Sequence, residues 1–158
     1  MSGERRGPVV LGEGPDDADI MLVGQNPGAE EVRQGRPFVG RSGKYLDGVL
    51  KRSGLKREEL FITSVVKEGT PGNRRPRAGE IRRWMPCLVQ QITRVRPKVV
   101  VLMGEVARLT PRLEGPRYVE TCHPAAAMRF PSARKKFEQD LAMLGREYGQ
   151  NNVSRHKG

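Results

Sequence analysis

Four short apolar, β-branched runs punctuate the chain: Ile20-Met21-Leu22-Val23, Phe61-Ile62-Thr63-Ser64-Val65-Val66, Val99-Val100-Val101-Leu102-Met103 and Tyr118-Val119-Glu120-Thr121-Cys122. Each has the length of a strand, and their apolar continuity suits strands covered on both faces. Between them the period changes to that of a helix. Residues 42 to 53 set Tyr45, Leu46, Val49 and Leu50 on one face, and residues 79 to 94 do the same with Ile81, Trp84, Leu88 and Ile92. Residues 132 to 147 repeat the pattern with Phe137, Leu141 and Leu144. Three amphipathic helices are predicted. Pro86, inside the second, should kink it or leave its hydrogen-bond ladder locally open.

Strands alternating with helices predict an α/β fold, a single-domain doubly wound sandwich around a central four-stranded parallel sheet. The domain is expected over residues 1 to 148, with a polar tail at 149 to 158 that is expected to be disordered. In such sheets ligands gather at the carboxyl ends of the strands. Those ends carry Gly24-Gln25-Asn26-Pro27-Gly28, then Ser64 and Lys67, then Gly104-Glu105, then His123-Pro124. Their polar groups are predicted to converge on one cleft. Residues 68 to 80, EGTPGNRRPRAGE, form an extended Pro/Gly/Arg-rich loop that reads first as an ordinary solvated connection and is basic enough to follow a phosphate backbone.

Composition narrows the class. With 158 residues the chain can bury one sizeable core, and 29 Lys and Arg against 18 Asp and Glu leave a net charge of +11. That excess favours a polyanionic partner, nucleic acid first, although a basic surface also serves solubility. No apolar run approaches the length of a membrane span, and MSGERRG carries no apolar signal core, so a cytoplasmic monomer without membrane contact is expected. Cys87 and Cys122 are the two cysteines, and His123 and His156 the two histidines. They supply neither a disulfide framework nor a four-thiolate site, so no metal and no cofactor are expected.

The segment GQNPGAEEVRQGRPFVGRSGKYLD, residues 24 to 47, resembles the first signature of family-four uracil-DNA glycosylases, in which a G-x-x-P-G turn precedes an acidic run and GRPFVG. Further matches follow in order: FITSVVK at 61 to 67, PGNRRP at 71 to 76, P-x-L-x-x-Q-I at 86 to 92, RPKVVVLMG at 96 to 104 and HPAAAMR at 123 to 129. The resemblance covers about residues 12 to 145. It implies a repair glycosylase that flips a deaminated base, uracil first, out of DNA and hydrolyses its N-glycosidic bond to leave an abasic site. Hypoxanthine and xanthine are further candidate substrates, and DNA containing a damaged base is the implied partner.

Three departures qualify the resemblance. Family-four members hold an iron-sulfur cluster on four cysteines; the two later positions here appear as Glu68 and Trp84, and Trp84 is expected to pack as an apolar plug. GQNPG is similar to the G-x-N-P-G turn of mismatch-specific and single-strand-selective branches, in which the Asn positions water. Ser64 stands where uracil-specific members usually place an Asn, which implies relaxed base choice.

Breaking an N-glycosidic bond develops positive charge on the sugar and negative charge on the base, so a site must stabilise both and deliver water. The resemblance implies that Asn26 orients that water and that His123 donates to the base carbonyl oxygen. By the same resemblance Phe38 stacks on the base, Gly24 and Gln25 contact it, Ser64 meets its edge, and Glu31 crowds the C5 side against thymine. Arg41, Ser42, Lys67 and Arg75 are candidate phosphate contacts. Ala125, Met128 and Arg129 belong to a candidate wedge that fills the gap left by the flipped base. Two other classes stay open: a non-catalytic lesion- or single-strand-binding module of the same fold, and a small-nucleotide enzyme. The latter lacks both G-x-G-x-x-G and a G-K-[ST] phosphate loop.

Overall fold

The four apolar runs become strands β1 (Ile20–Gly24), β2 (Phe61–Ser64), β3 (Val99–Met103) and β4 (Arg117–Thr121) in a computed structural model that describes residues 8–149. All pairings are parallel, in the order β2-β1-β3-β4. Every residue of β1, β2 and β3 is buried, whereas β4, at the sheet edge, exposes Arg117 and Glu120. The apolar run at 61 to 66 outlasts its strand. Val65 and Val66 instead donate their backbone N–H groups to the Gly24 and Gln25 carbonyls, both at 3.0 Å, and so fasten the exit of β2 to the exit of β1.

Alternation along the strands sorts the core into two layers. Ile20, Leu22, Val99, Val101 and Met103 pack against Leu46, Val49 and Leu50 of one helix and Phe137, Leu141 and Leu144 of another. Met21, Val23, Val100 and Leu102 face Leu88, Ile92 and Val95 on the opposite side. Of the five helices α1 (Ala29–Gln34), α2 (Arg41–Arg52), α3 (Ala78–Val95), α4 (Pro124–Arg129) and α5 (Pro131–Tyr148), all but α1 contribute to these covers. The periodicity predicts α2, α3 and α5. Helices α1 and α4 span six residues each, too short for an apolar stripe to register, and α1 buries no residue at all. Pro86 leaves α3 continuous over its 18 residues; without an N–H it withholds one rung of the ladder, the open-ladder alternative rather than a break.

Lys67 corrects an expectation. Proposed from sequence as a phosphate contact, it is fully buried and cannot reach DNA. Its ammonium donates to Thr63 Oγ1 (2.7 Å), to Gln91 Oε1 (2.9 Å) and to the Ser64 carbonyl, while Gln91 Nε2 donates to the Leu11 carbonyl (2.6 Å). Burial pushes its pKa down to about 7, with the nearby Cys87 thiol opposing that shift. Three acceptors offset the cost of taking the amine out of water, and the group ties β2, α3 and the segment before β1 together. A cation following a strand looks the same in sequence whether it turns outward or inward.

Among the described residues no helix is long and apolar enough to cross a membrane. The tail expected at 149 to 158, with His156, lies outside the described residues apart from Gly149.

Candidate active site

Strands β1 and β3 are neighbours, but the chain leaves β1 toward β2 on one side and leaves β3 toward β4 on the other. The diverging connections open a crevice at their carboxyl ends, where doubly wound sheets bind ligands. A cavity of about 390 Å³ lies there, lined by Gln25, Asn26, Phe38, Ser64, Asn73 and His123 among others. That volume suits a small molecule or a single base.

Glu31 organises the wall. One carboxylate oxygen accepts from the Gly28 N–H (3.1 Å), and the other accepts from Val39 N–H (2.9 Å) and Gly40 N–H (2.7 Å). The G-Q-N-P-G turn, the start of α1 and the entry to α2 are thereby held by one side chain. Glu31 lines the cleft, as its expected base contact requires, but its carboxylate is engaged by three backbone donors. Its geometry is that of a clamp, not of a group aimed at C5 of a pyrimidine.

The clamp holds Phe38 in an unusual conformation. Its backbone sits at φ +50, a left-handed geometry costly for a residue with a side chain. The Arg57 guanidinium donates to the Phe38 carbonyl (2.7 Å), to the Pro37 carbonyl and to Asp47 Oδ1 (2.8 Å), closing the turn from the other side. The Phe38 ring lies on Gly24 so closely that a Cβ there would meet ring carbons at 2.7 and 2.8 Å. Glycine at the end of β1 is therefore what admits the aromatic. The ring faces His123, with centroids 5.7 Å apart and planes tilted by 35°.

His123 caps the N-terminus of α4. The Ala125 N–H donates to its Nδ1 at 3.0 Å, so Nδ1 holds a lone pair and the proton of the neutral ring resides on Nε2. Burial pushes its pKa down to about 4, against a smaller opposing pull from Glu31. The imidazole is neutral at physiological pH and presents one N–H donor. Gly104, at φ +100, lets β3 end against it: a Cβ there would stand 3.2 Å from His123 Cβ.

Gln25 Nε2 donates to Asn26 Oδ1 (3.1 Å), and Asn26 Nδ2 donates to the Pro27 carbonyl (3.2 Å). These bonds fix the Asn26 amide and leave its oxygen a second lone pair. Ser64 Oγ donates to the Val66 carbonyl (2.7 Å), so its hydroxyl is not free to rotate and offers the cleft only lone pairs.

The remaining candidates divide. Ser42 and Ala125 line the cleft, Arg41 begins α2 exposed at its rim, Met128 is half-buried and Arg129 is exposed. Arg75 is exposed but paired with Glu105 at 2.9 Å. Asn73 was not singled out from sequence. It lies in a 3-10 turn at 71–73 with φ +56 and lines the cleft, its amide nitrogen 3.8 Å from where a Cβ on Gly28 would stand. The available signal was the tight turn before RRP, since an Asn in left-handed geometry points its amide out of a turn.

An iron-sulfur cluster does not fit the residues present. Trp84 Nε1 donates to Glu68 Oε2 at 2.8 Å, and Arg83 stands 3.8 Å from the same oxygen. An indole is no iron ligand, and this carboxylate is already paired. Trp84 is thus a hydrogen-bond donor as well as the apolar plug expected of it. It joins α3 to the segment leaving β2. Thiolates cannot fill the gap, because the chain holds only Cys87, on α3, and Cys122, after β4.

The strand ends of this doubly wound sheet thus hold a base-sized cleft with a neutral histidine and a fixed amide on its wall. The profile of the Uracil DNA glycosylase superfamily matches residues 11–144, and the chain belongs to that superfamily. The type-4 uracil-DNA glycosylase of Pyrobaculum aerophilum is 39% identical over 158 aligned residues, covering 85% of this chain and 81% of that one. That of Sulfurisphaera tokodaii is 39% identical, covering 85% and 72%. The crystal structure of Pedobacter heparinus SMUG2 shares the fold with a TM-score of 0.54 at 12% identity, over 81% of this chain and 75% of that one.

A neutral His123 has a direct consequence for pH. The ring takes a second proton, at Nδ1, only as pH falls through about 4, so single-turnover base release should be flat between about pH 5.5 and 8. A rate that changes through an inflection near 6.5, the ordinary histidine value, contradicts the assignment.

Proposed function

We propose that the protein excises uracil, and to a lesser degree hypoxanthine and xanthine, from DNA by hydrolysis, leaving an abasic site. The single observation that carries this reading is the neutral His123, half-buried beside Phe38, with its proton on Nε2. The flipped uracil stacks on Phe38 and accepts from His123 Nε2–H at O2, the carbonyl oxygen next to its glycosidic nitrogen. The C1′–N bond breaks with its electron pair leaving on the base, and the hydrogen bond strengthens as that charge grows. Asn26 Oδ1 holds water on the far side of the sugar; oxygen bonds to C1′ and the water proton passes to solvent or to the departing base. An amide is too weak to deprotonate water, yet an oxocarbenium-like sugar needs orientation more than a strong base. Retention of both groups favours catalysis over a module that only binds lesions.

Base choice follows from the hydroxyl of Ser64. It offers lone pairs alone, and so prefers a base with a ring N–H at the facing edge. Uracil and hypoxanthine carry that N–H where cytosine and adenine carry a lone pair, so the contact separates each deaminated base from its parent. Xanthine is accommodated too, but so is the ring N–H of guanine, which must be rejected elsewhere. Lacking the paired donor and acceptor of an amide, the site loses discrimination more than rate.

Two experiments test the reading. Asn26→Ala and His123→Ala should each slow single-turnover uracil release, the histidine variant by about 10²–10³-fold, with DNA affinity changed little. Alkali-revealed strand breaks at saturating enzyme measure this, and parental rates in both variants contradict it. Ser64→Asn should narrow activity to uracil on a panel of uracil, hypoxanthine and xanthine oligonucleotides. Uracil-only activity in parent and variant alike overturns the proposed range.

A further inference from the structure

Helix α4 begins at His123 and ends at a corner that carries an exposed aromatic. Phe130 is 51% exposed, and of the large hydrophobic residues exposed among those described it alone is aromatic. Single exposed apolar residues are ordinary, but this one is held. Its N–H donates to the Ala126 carbonyl (2.8 Å), and its carbonyl accepts from Arg134 N–H (2.9 Å). The Arg134 guanidinium donates to the Ala127 and Met128 carbonyls, both at 3.0 Å, and Pro131 opens α5 directly afterwards. The Arg129 guanidinium stands 5.3 Å from the Phe130 ring centroid and has no carboxylate partner among the described residues. Ala127, by contrast, is fully buried and Met128 half-buried.

We infer that Phe130 and Arg129 form a stacking platform for an unpaired DNA base near the flipped one, and that the platform favours single-stranded substrate; the inference rests on the glycosylase reading above. Six helical residues advance about 9 Å, which is two to three stacked nucleotides at 3.4 Å each. The ring supplies a π-face that any base can use, and Arg129 supplies charge for the adjoining phosphate. The fixed corner means little ordering is required on binding. In duplex DNA the same base is stacked and paired already, so Phe130 gains less.

The test compares parent, Phe130→Ala and Phe130→Trp on one uracil-containing sequence, single-stranded and in duplex. Dissociation constants are read on the matching uracil-free oligonucleotides, and single-turnover release is read at saturating enzyme. Phe130→Ala should bind the single strand about 5- to 100-fold more weakly, lose less than about 3-fold on duplex, and keep its saturating rate. Phe130→Trp should bind the single strand as the parent does, with all three proteins melting alike. Unchanged single-strand affinity in Phe130→Ala, or equal loss on both DNA forms, overturns the platform. Absence of uracil release from the parent would instead defeat the glycosylase reading, leaving the affinity ratio to judge the platform.

Discussion

Three backbone N–H groups converge on the carboxylate of Glu31, and the shape of the cleft depends on that convergence. Hydrogen bonds to a charged acceptor contribute roughly 1.5–3 kcal/mol each, against a left-handed non-glycine residue costing roughly 1–3 kcal/mol. The clamp therefore outweighs the strain at Phe38, and Arg57 adds to it from the other side. From this follow the stacking surface on Gly24, the 5.7 Å approach of Phe38 to His123 and the fixed turn carrying Asn26. A site meant to discriminate between ground state and transition state needs such rigidity, because misplacement by an ångström costs more than most single contacts supply.

The electrostatics of the cleft and of the surface serve different ends. Inside, the His123, Asn26 and Ser64 side chains are neutral: an imidazole whose burial keeps it unprotonated, an amide and a hydroxyl committed to a carbonyl. In the proposed mechanism a neutral donor hydrogen-bonds most strongly to the base when charge has moved onto it, which concentrates its effect in the transition state. Outside, the net charge of +11 attracts DNA without choosing a sequence. In the proposed function, choice then falls to the shape of the cleft and the Ser64 hydroxyl. Loss of the cluster ligands does not leave the 68 to 84 segment untied, since the Glu68–Trp84 hydrogen bond bridges its two ends.

Much of this was legible in the residues. Apolar runs located the strands because both faces of the sheet are covered, and helix periodicity located α2, α3 and α5. Helices α1 and α4 left no stripe, being a turn and a half long. The cleft residues Gln25, Asn26, Phe38, Ser64 and His123 could be named because each follows a strand or sits in a matched segment. What sequence could not convey was direction. Lys67 turns inward to three acceptors, the oxygens of Glu31 turn to backbone, and the proton of Ser64 turns to Val66. Each depends on where a distant segment places its backbone groups. Asn73 escaped notice because its place in the cleft comes from a turn conformation, not from a pattern.

The most direct test of the account is the single-turnover release of uracil and thymine by Glu31→Gln. If Glu31 is a clamp, loss of its charge loosens the Phe38 turn, lowering uracil release by about 10- to 100-fold while thymine stays refused. Uracil release at the parental rate, with thymine now excised, would show instead that Glu31 guards the C5 side of the base and that the clamp is not what the cleft depends on.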